Sequence, residues 1–309
     1  MTDVPEPELP RGIALAWGVA ANPQRGPKRE MSVERIVEAA VEIADADGLG
    51  AVSMAAVAAR LGFTPMSLYR YVTAKDDLVL LMQEEATGLP SEEATGAGGW
   101  REQLTALYNE QVQMYLRHPW VLDIPISGSP VTPNSAAWMD AGLRALAETE
   151  LTYEERLAVV LMVTGTSRWT GTVLAGYART ERERGLRGHD ITVQEDALFR
   201  ALISADGYPE LRAAIEAGVF LDDSDPFRFN LERSLDGVAA YIDRVASEGR
   251  GPRSPWAKLD DAEIMDDKKF REAQKAVRAA EKALRDARKL ERQAARIAHE
   301  HRARQRGDS

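Results

Sequence analysis

Cysteine is absent from all 309 residues. That excludes disulfides, thiolate metal ligands and a cysteine nucleophile, and makes a reducing compartment the simplest expectation. Histidine is scarce as well: His118, His189, His299 and His301 are the full set, too few and too scattered for a metal-ligand cluster. The charges before Arg11 are all acidic, the reverse of a signal peptide, and no apolar run approaches the ~18 residues of a membrane span. A cytoplasmic protein without a membrane anchor is expected. The chain also lacks a phosphate-binding glycine loop and any recognisable Ser/His/Asp spacing, and "GAGGW" reads as a linker, so no enzyme class and no cofactor is indicated.

Strand-like Val/Ile/Thr alternation is equally sparse. Apolar residues recur at helical spacing almost throughout, which predicts an all-α fold. The charge balance is uneven. Lys and Arg total 39 against 49 Asp and Glu, a net −10, yet residues 268–306 hold fourteen basic and five acidic residues, so that segment carries +9 and the remainder −19. General coating of nucleic acid is excluded for most of the chain, and a local basic face is not.

Four regions follow from breaks in composition. Residues 1–31 hold Pro5, Pro7, Pro10, Pro23 and Pro27 and read as a flexible arm with a basic end at Arg25, Lys28 and Arg29. Residues 32–88 contain short helices: one capped by Ser32 and ended by Gly48, one from Met54 to Leu61 between Ser53 and Gly62, one opened by Thr64 and Pro65, and one from Thr73 in which "TAKD" reads as a capping box. Residues 89–250 hold six longer helical segments and predict a bundle for effector binding and dimerisation. Residues 258–306 form a basic, Ala-rich helical tail in which Phe270, Val277 and Leu284 recur every seven residues, a weak heptad seam broken by Glu291. The tail reads first as a solvated helix or partner-seeking coil, with direct nucleic-acid contact as the lesser alternative.

Three short helices with a glycine turn between the second and third make a helix-turn-helix, whose third helix enters the DNA major groove. With Leu68 and Val72 turned inward, a 100° step per residue puts Met66, Tyr69 and Arg70 outward and Ser67 and Tyr71 on the flanks. Arg70 offers a bidentate fork to guanine, Ser67 donates or accepts, and Met66 or Pro65 meets a thymine methyl. The two tyrosines can donate to phosphates; an amphipathic core role fits them too. Lys75 lies in the first turn of the next helix, where a cation is unfavourable by about 0.3–1 kcal/mol unless a phosphate shares the site. Ser53 combines a cap with a possible phosphate contact, and Arg25, Lys28 and Arg29 form a basic arm for backbone or minor groove.

The run "VERIVEAAVEIADADGLGAVSMAAVAARLGFTPMSLYRYVTAKDDLV", residues 33–79, resembles the N-terminal DNA-binding domain of the tetracycline-repressor (TetR-type) family. The features that carry the resemblance are the first helix ending in Gly, the following Ser, "LG" at the turn, "LYRYV" and Lys75. It implies a homodimer on a palindromic operator, usually a repressor released by a small molecule, with DNA contacts from Ser53, Pro65, Met66, Ser67, Tyr69, Tyr71 and Lys75. "IALAWG", "RGPKRE" and "HPWVLDIPISGSPVTPN" resemble the branch whose C-terminal domain is like that of the tetracycline repressor itself. The basic tail departs from that pattern, and the family's magnesium site has no residue-by-residue counterpart here.

Within residues 89–250, an effector pocket between helices is expected to draw on Tyr108, Asn109, Gln111, Met114, Tyr115, His118, Trp138, Met139, Met162, Thr166, Trp169 and Tyr177; each also fits as plain core. Helices 152–183 and 226–248 are expected to form the dimer contact, the latter through Leu231, Leu235, Val238 and Ile242. Two rival readings stand beside a repressor: an activator of the same fold, and an interaction protein acting through the tail.

Overall fold

Hydroxyl side chains set several of the helix starts. In a computed structural model, which describes residues 9–19, 31–96, 98–126, 128, 131–222, 224–251 and 267–307, Ser32 Oγ accepts from the Arg35 amide at 3.3 Å and opens α2 (Val33–Asp47). Ser53 Oγ accepts from the Ala56 amide at 3.1 Å and opens α3 (Met54–Leu61), and Thr152 and Glu155 form a full capping box at the start of α9 (Tyr153–Arg184). Gly62, at φ 77°, takes the left-handed turn that ends α3, a conformation that strains any residue with a Cβ. The strand-free reading holds among the described residues, which are helical apart from turns and loops.

The expected capping box at "TAKD" does not form. Helix α5 (Lys75–Thr87) starts two residues later, and the Thr73 hydroxyl reaches Asp77 at 3.1 Å instead of capping an amide. Asp77 is held by a second partner, the Gly12 amide at 2.9 Å. That partner comes from within the segment read as an arm: residues Arg11–Ala16 form helix α1, which packs on α5, and the Trp17 indole donates to the Val131 carbonyl at 2.9 Å. Gly12 is buried so closely that a Cβ would stand 2.8 Å from Asp77 Oδ1. Arg25, Lys28 and Arg29 lie outside the described residues, as do residues 258–266 of the tail.

Residues 1–249 form one compact unit and residues 250–309 another. The first holds two apolar clusters. One joins α2, α3, α5 and Leu68 of α4 (Pro65–Leu68), with Ile36, Val57, Leu68, Val72, Leu78 and Met82 almost fully enclosed. The other joins Leu104, Leu107 and Tyr108 of α7 (Trp100–Arg117), Trp138 of α8 (Pro133–Ala145), Val160 and Val163 of α9, and Leu231 and Leu235 of α12 (Pro226–Glu248). The first cluster does not stop at residue 88: Met114 and Tyr115 of α7, with Trp120 and Val121 of the following 3-10 turn, complete it. Helix α7 thus serves both cores. The linker before it contains one helical turn, α6 (Glu92–Thr95), capped by Ser91.

Two short helices, α10 (Gly188–Leu202) and α11 (Pro209–Glu216), pack on each other; Arg200 bonds Asp196 and the Ile215 carbonyl. In the second unit α13 (Lys268–Gly307) runs 40 residues, its first turn bonded to the Asp267 carboxylate through the Phe270 amide at 2.9 Å.

The α12 stripe proposed for dimerisation faces the chain's own core. Leu231 is 3% and Leu235 1% exposed, and Val238 and Ile242 pack against the same cluster. Exposed apolar residues on α9 include Leu161 at 52% and Trp169 at 61%, two turns apart with Gly165 between them on one face, while α12 exposes Phe229 at 62%. Among the described residues α9 is also the one helix long and apolar enough, by length and composition, to cross a membrane, a feature the sequence reading did not find.

Candidate nucleic-acid interface and effector cleft

Leu68 and Val72 are fully buried, and that fixes the phase of everything around them. Met66 is 71% and Tyr69 43% exposed, and Pro65, Arg70 and Lys75 also face solvent. Neither Arg70 nor Lys75 makes an ion pair with a described residue, whereas the nearby Arg60 is bound to Glu42. Free guanidinium and ammonium groups beside an exposed Met make a surface able to meet bases and phosphates. Tyr71 is half-buried and packs on the first cluster, so its ring is largely structural and only its edge is available.

Recognition geometry depends on a very short element. Helix α4 has four residues, continued by turns in which the Tyr69 amide bonds the Pro65 carbonyl at 3.2 Å and the Val72 amide bonds the Leu68 carbonyl at 3.0 Å. Thr64 occupies the cap position, yet its hydroxyl pairs with Ser67 Oγ at 2.9 Å rather than with an amide. Ser67 therefore has one of its hydrogen-bonding sites already used, and Thr64, which the sequence reading treated only as a cap, stands beside it. The Ser53 hydroxyl accepts from Ala56 and keeps its proton for an outside acceptor. The first-turn amides of α5 receive no side-chain cap and Lys75 is exposed at the same turn, a combination able to accept an anion.

Between α7, α9 and the start of α12 lies a cleft of about 1050 Å³, at the upper end of the ~300–1,000 Å³ typical of small-molecule sites. Of the expected pocket residues it contains Tyr108 and Asn109. Tyr108 bonds Thr170 Oγ1 at 2.8 Å. Burial pushes its phenol above the ordinary value, the Thr170 bond acts in the opposite direction, and the Asp225 charge adds to the rise; the phenol stays protonated. Val112, Leu174, Leu231 and Phe227 supply apolar wall, while Arg101 and Arg228 are tied to Asp236 and Glu232. The cleft is thus a mainly apolar slot with a hydroxyl pair in it. Sequence reasoning missed Thr170 and the Asp225–Phe227 edge, because "DDSDP" reads only as a helix break; Asp225 in fact caps α12, accepting from the Phe227 and Arg228 amides at 3.0 Å.

The other expected pocket residues go elsewhere. Met114 and Tyr115 belong to the first cluster, where Arg168 lies over the Tyr115 ring at 6.0 Å and donates to the Leu122 and Ile124 carbonyls. His118 Nδ1 pairs with Asp45 of α2 at 2.8 Å, and the Trp120 indole donates to the same carboxylate oxygen at 2.7 Å. Trp138 donates to the Gly88 carbonyl at 3.0 Å, and Asn134 is bonded to Glu84 through both its amide and its side chain. Gln111 accepts from Ser167 at 2.6 Å, Thr166 bonds back to the Met162 carbonyl, and the Tyr177 hydroxyl donates to Glu195. Met162 packs on the second cluster, Met139 is half-buried beside Trp138 on α8, and Trp169 points outward. Several of these side chains do a different job: they tie the helix-turn-helix region to the bundle.

Residues 36–82 match the family of bacterial regulatory proteins called tetR, and residues 90–242 match the tetracyclin repressor-like C-terminal domain. The chain is 34% identical over 250 residues to the HTH-type transcriptional repressor DrrR1 of Streptomyces coeruleorubidus, covering 80% of this chain and 90% of that one. It is 32% identical over 117 residues to an HTH-type transcriptional regulator of Saccharopolyspora erythraea, 38% of this chain and 50% of that one. Among solved structures, apo ActR of Streptomyces coelicolor superposes with a TM-score of 0.54 at 24% identity, covering 71% of this chain and 99% of that one. ActR in complex with actinorhodin gives 0.56 at 24%, covering 69% and 98%; at such identities the likeness is one of fold. An exposed recognition surface set on a buried Leu68–Val72 pair, a bundle behind it, and these matches across both regions lead to one conclusion: the chain belongs to the tetracycline-repressor family of bacterial DNA-binding transcription regulators, which are not enzymes.

Proposed function

We propose that the protein is a homodimeric repressor that binds a palindromic operator in the cytoplasm and leaves it when a small molecule fills the cleft. The observation that carries this is helix α7. Its first half walls the cleft through Arg101, Tyr108 and Asn109, and its second half sits in the core of the helix-turn-helix region through Met114 and Tyr115. A ligand that binds better to one placement of α7 therefore biases the placement of α2 to α5, and only such differential binding can shift the equilibrium. The recognition surfaces of two copies must lie about 34 Å apart to enter successive major grooves, so a small reorientation is enough to lose the fit. ActR has been solved with actinorhodin and with (S)-DNPA. That precedent, with the apolar slot and its Tyr108–Thr170 hydroxyls, supports an effector that is largely apolar with one or two polar groups.

Tyr69, Arg70, Met66, Pro65 and Ser67 are assigned to the bases and nearby backbone, and Ser53, Tyr71 and Lys75 to phosphates; Arg25, Lys28 and Arg29 remain assigned to the flanking backbone or minor groove. A fragment of the promoter region of the protein's own gene should compete at least 10³-fold better than random DNA at physiological salt, within the range of specific over non-specific binding. Equal binding of both in a gel shift would end the operator reading.

The dimer is assigned to the exposed face of α9. Trp169→Arg places a charge at its centre, and the chain should then sediment as a monomer at concentrations where the unaltered protein is a dimer, since an unpaired charge in an interface costs several kcal/mol. A variant that still sediments as a dimer would move the interface off this face.

A further inference from the structure

We infer that α13 is a second DNA-binding element, one that follows the phosphate backbone without reading bases. Its basic residues are ordered. Arg271, Lys275, Arg278 and Lys282 succeed one another at alternating steps of four and three, the spacing that keeps positions on one side of a helix, and all four are exposed. The sequence continues the same alternation through Arg285, Lys289, Arg292 and Arg296, while Glu272, Glu281, Asp286 and Glu291 fall at none of these positions. By sequence register eight basic positions thus fall on one stripe over 26 residues, about 39 Å of helix with one such position per ~5 Å. The remainder of the chain carries a net −19, so the segment that holds the stripe stands apart in charge.

A straight, evenly charged rod fits a straight, evenly charged partner. Duplex DNA offers one negative charge per ~1.7 Å of axis, and Lys and Arg contacts to it gain affinity by releasing condensed counterions. An anionic membrane is the poorer match. Away from the stripe α13 exposes alanines with Val277, Leu284, Leu290 and Ile297 among them, and Phe270 at its first turn is its single aromatic residue, whereas membrane-surface helices carry aromatic anchors along their apolar face. The inference rests on the operator-binding reading above for its biological setting, and adds to it a base-independent grip outside the helix-turn-helix.

The test uses the full-length chain carrying Lys275→Gln, Arg278→Gln and Lys282→Gln. Glutamine keeps helix propensity, so far-ultraviolet circular dichroism should be unchanged. Binding to a duplex of random sequence is measured as a function of salt. Each lost phosphate contact removes about 0.9 from the slope of log affinity against log salt, so the triple variant should lose between about 1.5 and 3 per chain. A companion variant, Lys275→Arg with Lys282→Arg, keeps the charges and should keep the slope. An unchanged slope in the triple variant overturns the proposal even if promoter binding is intact. A lost slope in a protein that never prefers any promoter fragment sinks the operator reading and leaves α13 standing. Tighter binding of the unaltered chain to phosphatidylglycerol vesicles than to the duplex at equal salt, abolished by the same substitutions, would assign the stripe to a membrane and overturn the proposal as well.

Discussion

Arg70→Ala is expected to lower affinity for the operator by roughly 30-fold to 10⁴-fold, while binding to random DNA changes little. The side chain is exposed beside Met66 and Tyr69 and has no ion-pair partner among the described residues, so its guanidinium fork is available to a base edge. A bidentate contact to guanine is worth about 1–3 kcal/mol of discrimination, and the homodimer proposed above would make it twice. Lys75→Ala should behave differently. That ammonium sits on the uncapped first turn of α5, and the proposed function assigns it a phosphate, a group common to every sequence. Its loss should weaken all duplexes alike and reduce the salt slope by about 1 per half-site. Quantitative gel shifts of both variants on operator and random DNA, over a range of salt, separate the two roles. If Arg70→Ala weakened every sequence equally, the assignment of Arg70 to base readout would be wrong.

Gly171→Val is expected to destabilise the fold by about 1–3 kcal/mol and to blunt release by the effector. A Cβ at Gly171 would stand 2.7 Å from Tyr115 Cβ and 2.8 Å from its ring, closer than side chains tolerate, and a valine adds two more methyls at that place. Tyr115 must then move, and it belongs to the core beneath the helix-turn-helix. Overpacking of this kind has a cost in that range. Gly176, one turn and a half further along α9, has nothing within 4 Å of its would-be Cβ. Gly176→Ala should accordingly stabilise the protein by about 0.5–1 kcal/mol through helix propensity. Thermal melts of the two variants, with operator binding measured in the presence and absence of a ligand for the cleft, check both statements. Equal melting temperatures for Gly171→Val and the parent would show that the contact between α9 and Tyr115 is loose.

Local signals carried most of the fold. Ser32, Ser53, Pro65, Gly48 and Gly62 punctuate the chain through interactions made within a few residues, and these are the boundaries that appear where expected. The phase argument for the recognition surface succeeded for the same reason, since Leu68 and Val72 alone settle which way Tyr69 and Arg70 point. Long-range partners were not legible. Nothing near Asp77 announces that one of its oxygens is taken up by Gly12, 65 residues away, or that the Thr73 hydroxyl of "TAKD" bonds the other instead of capping an amide. The pocket residues were chosen as polar or aromatic side chains on the right helices, but the bundle uses His118, Trp138 and Tyr115 to join regions together. Which face of α12 turns inward depended on α7 and α9, so a Leu231–Leu235 stripe that suits a dimer interface equally suits the chain's own interior.

The junction at Asp45 has a further consequence. One carboxylate oxygen holds both the His118 imidazole and the Trp120 indole, the second of them buried. Hydrogen bonds weaken steeply once distance and angle depart from their optimum, and a buried indole N–H left without an acceptor is costly. Two bonds share this one acceptor, so any separation of α2 from the end of α7 would cost both together, and Asp45→Ala should loosen the joint at His118 and Trp120 at once.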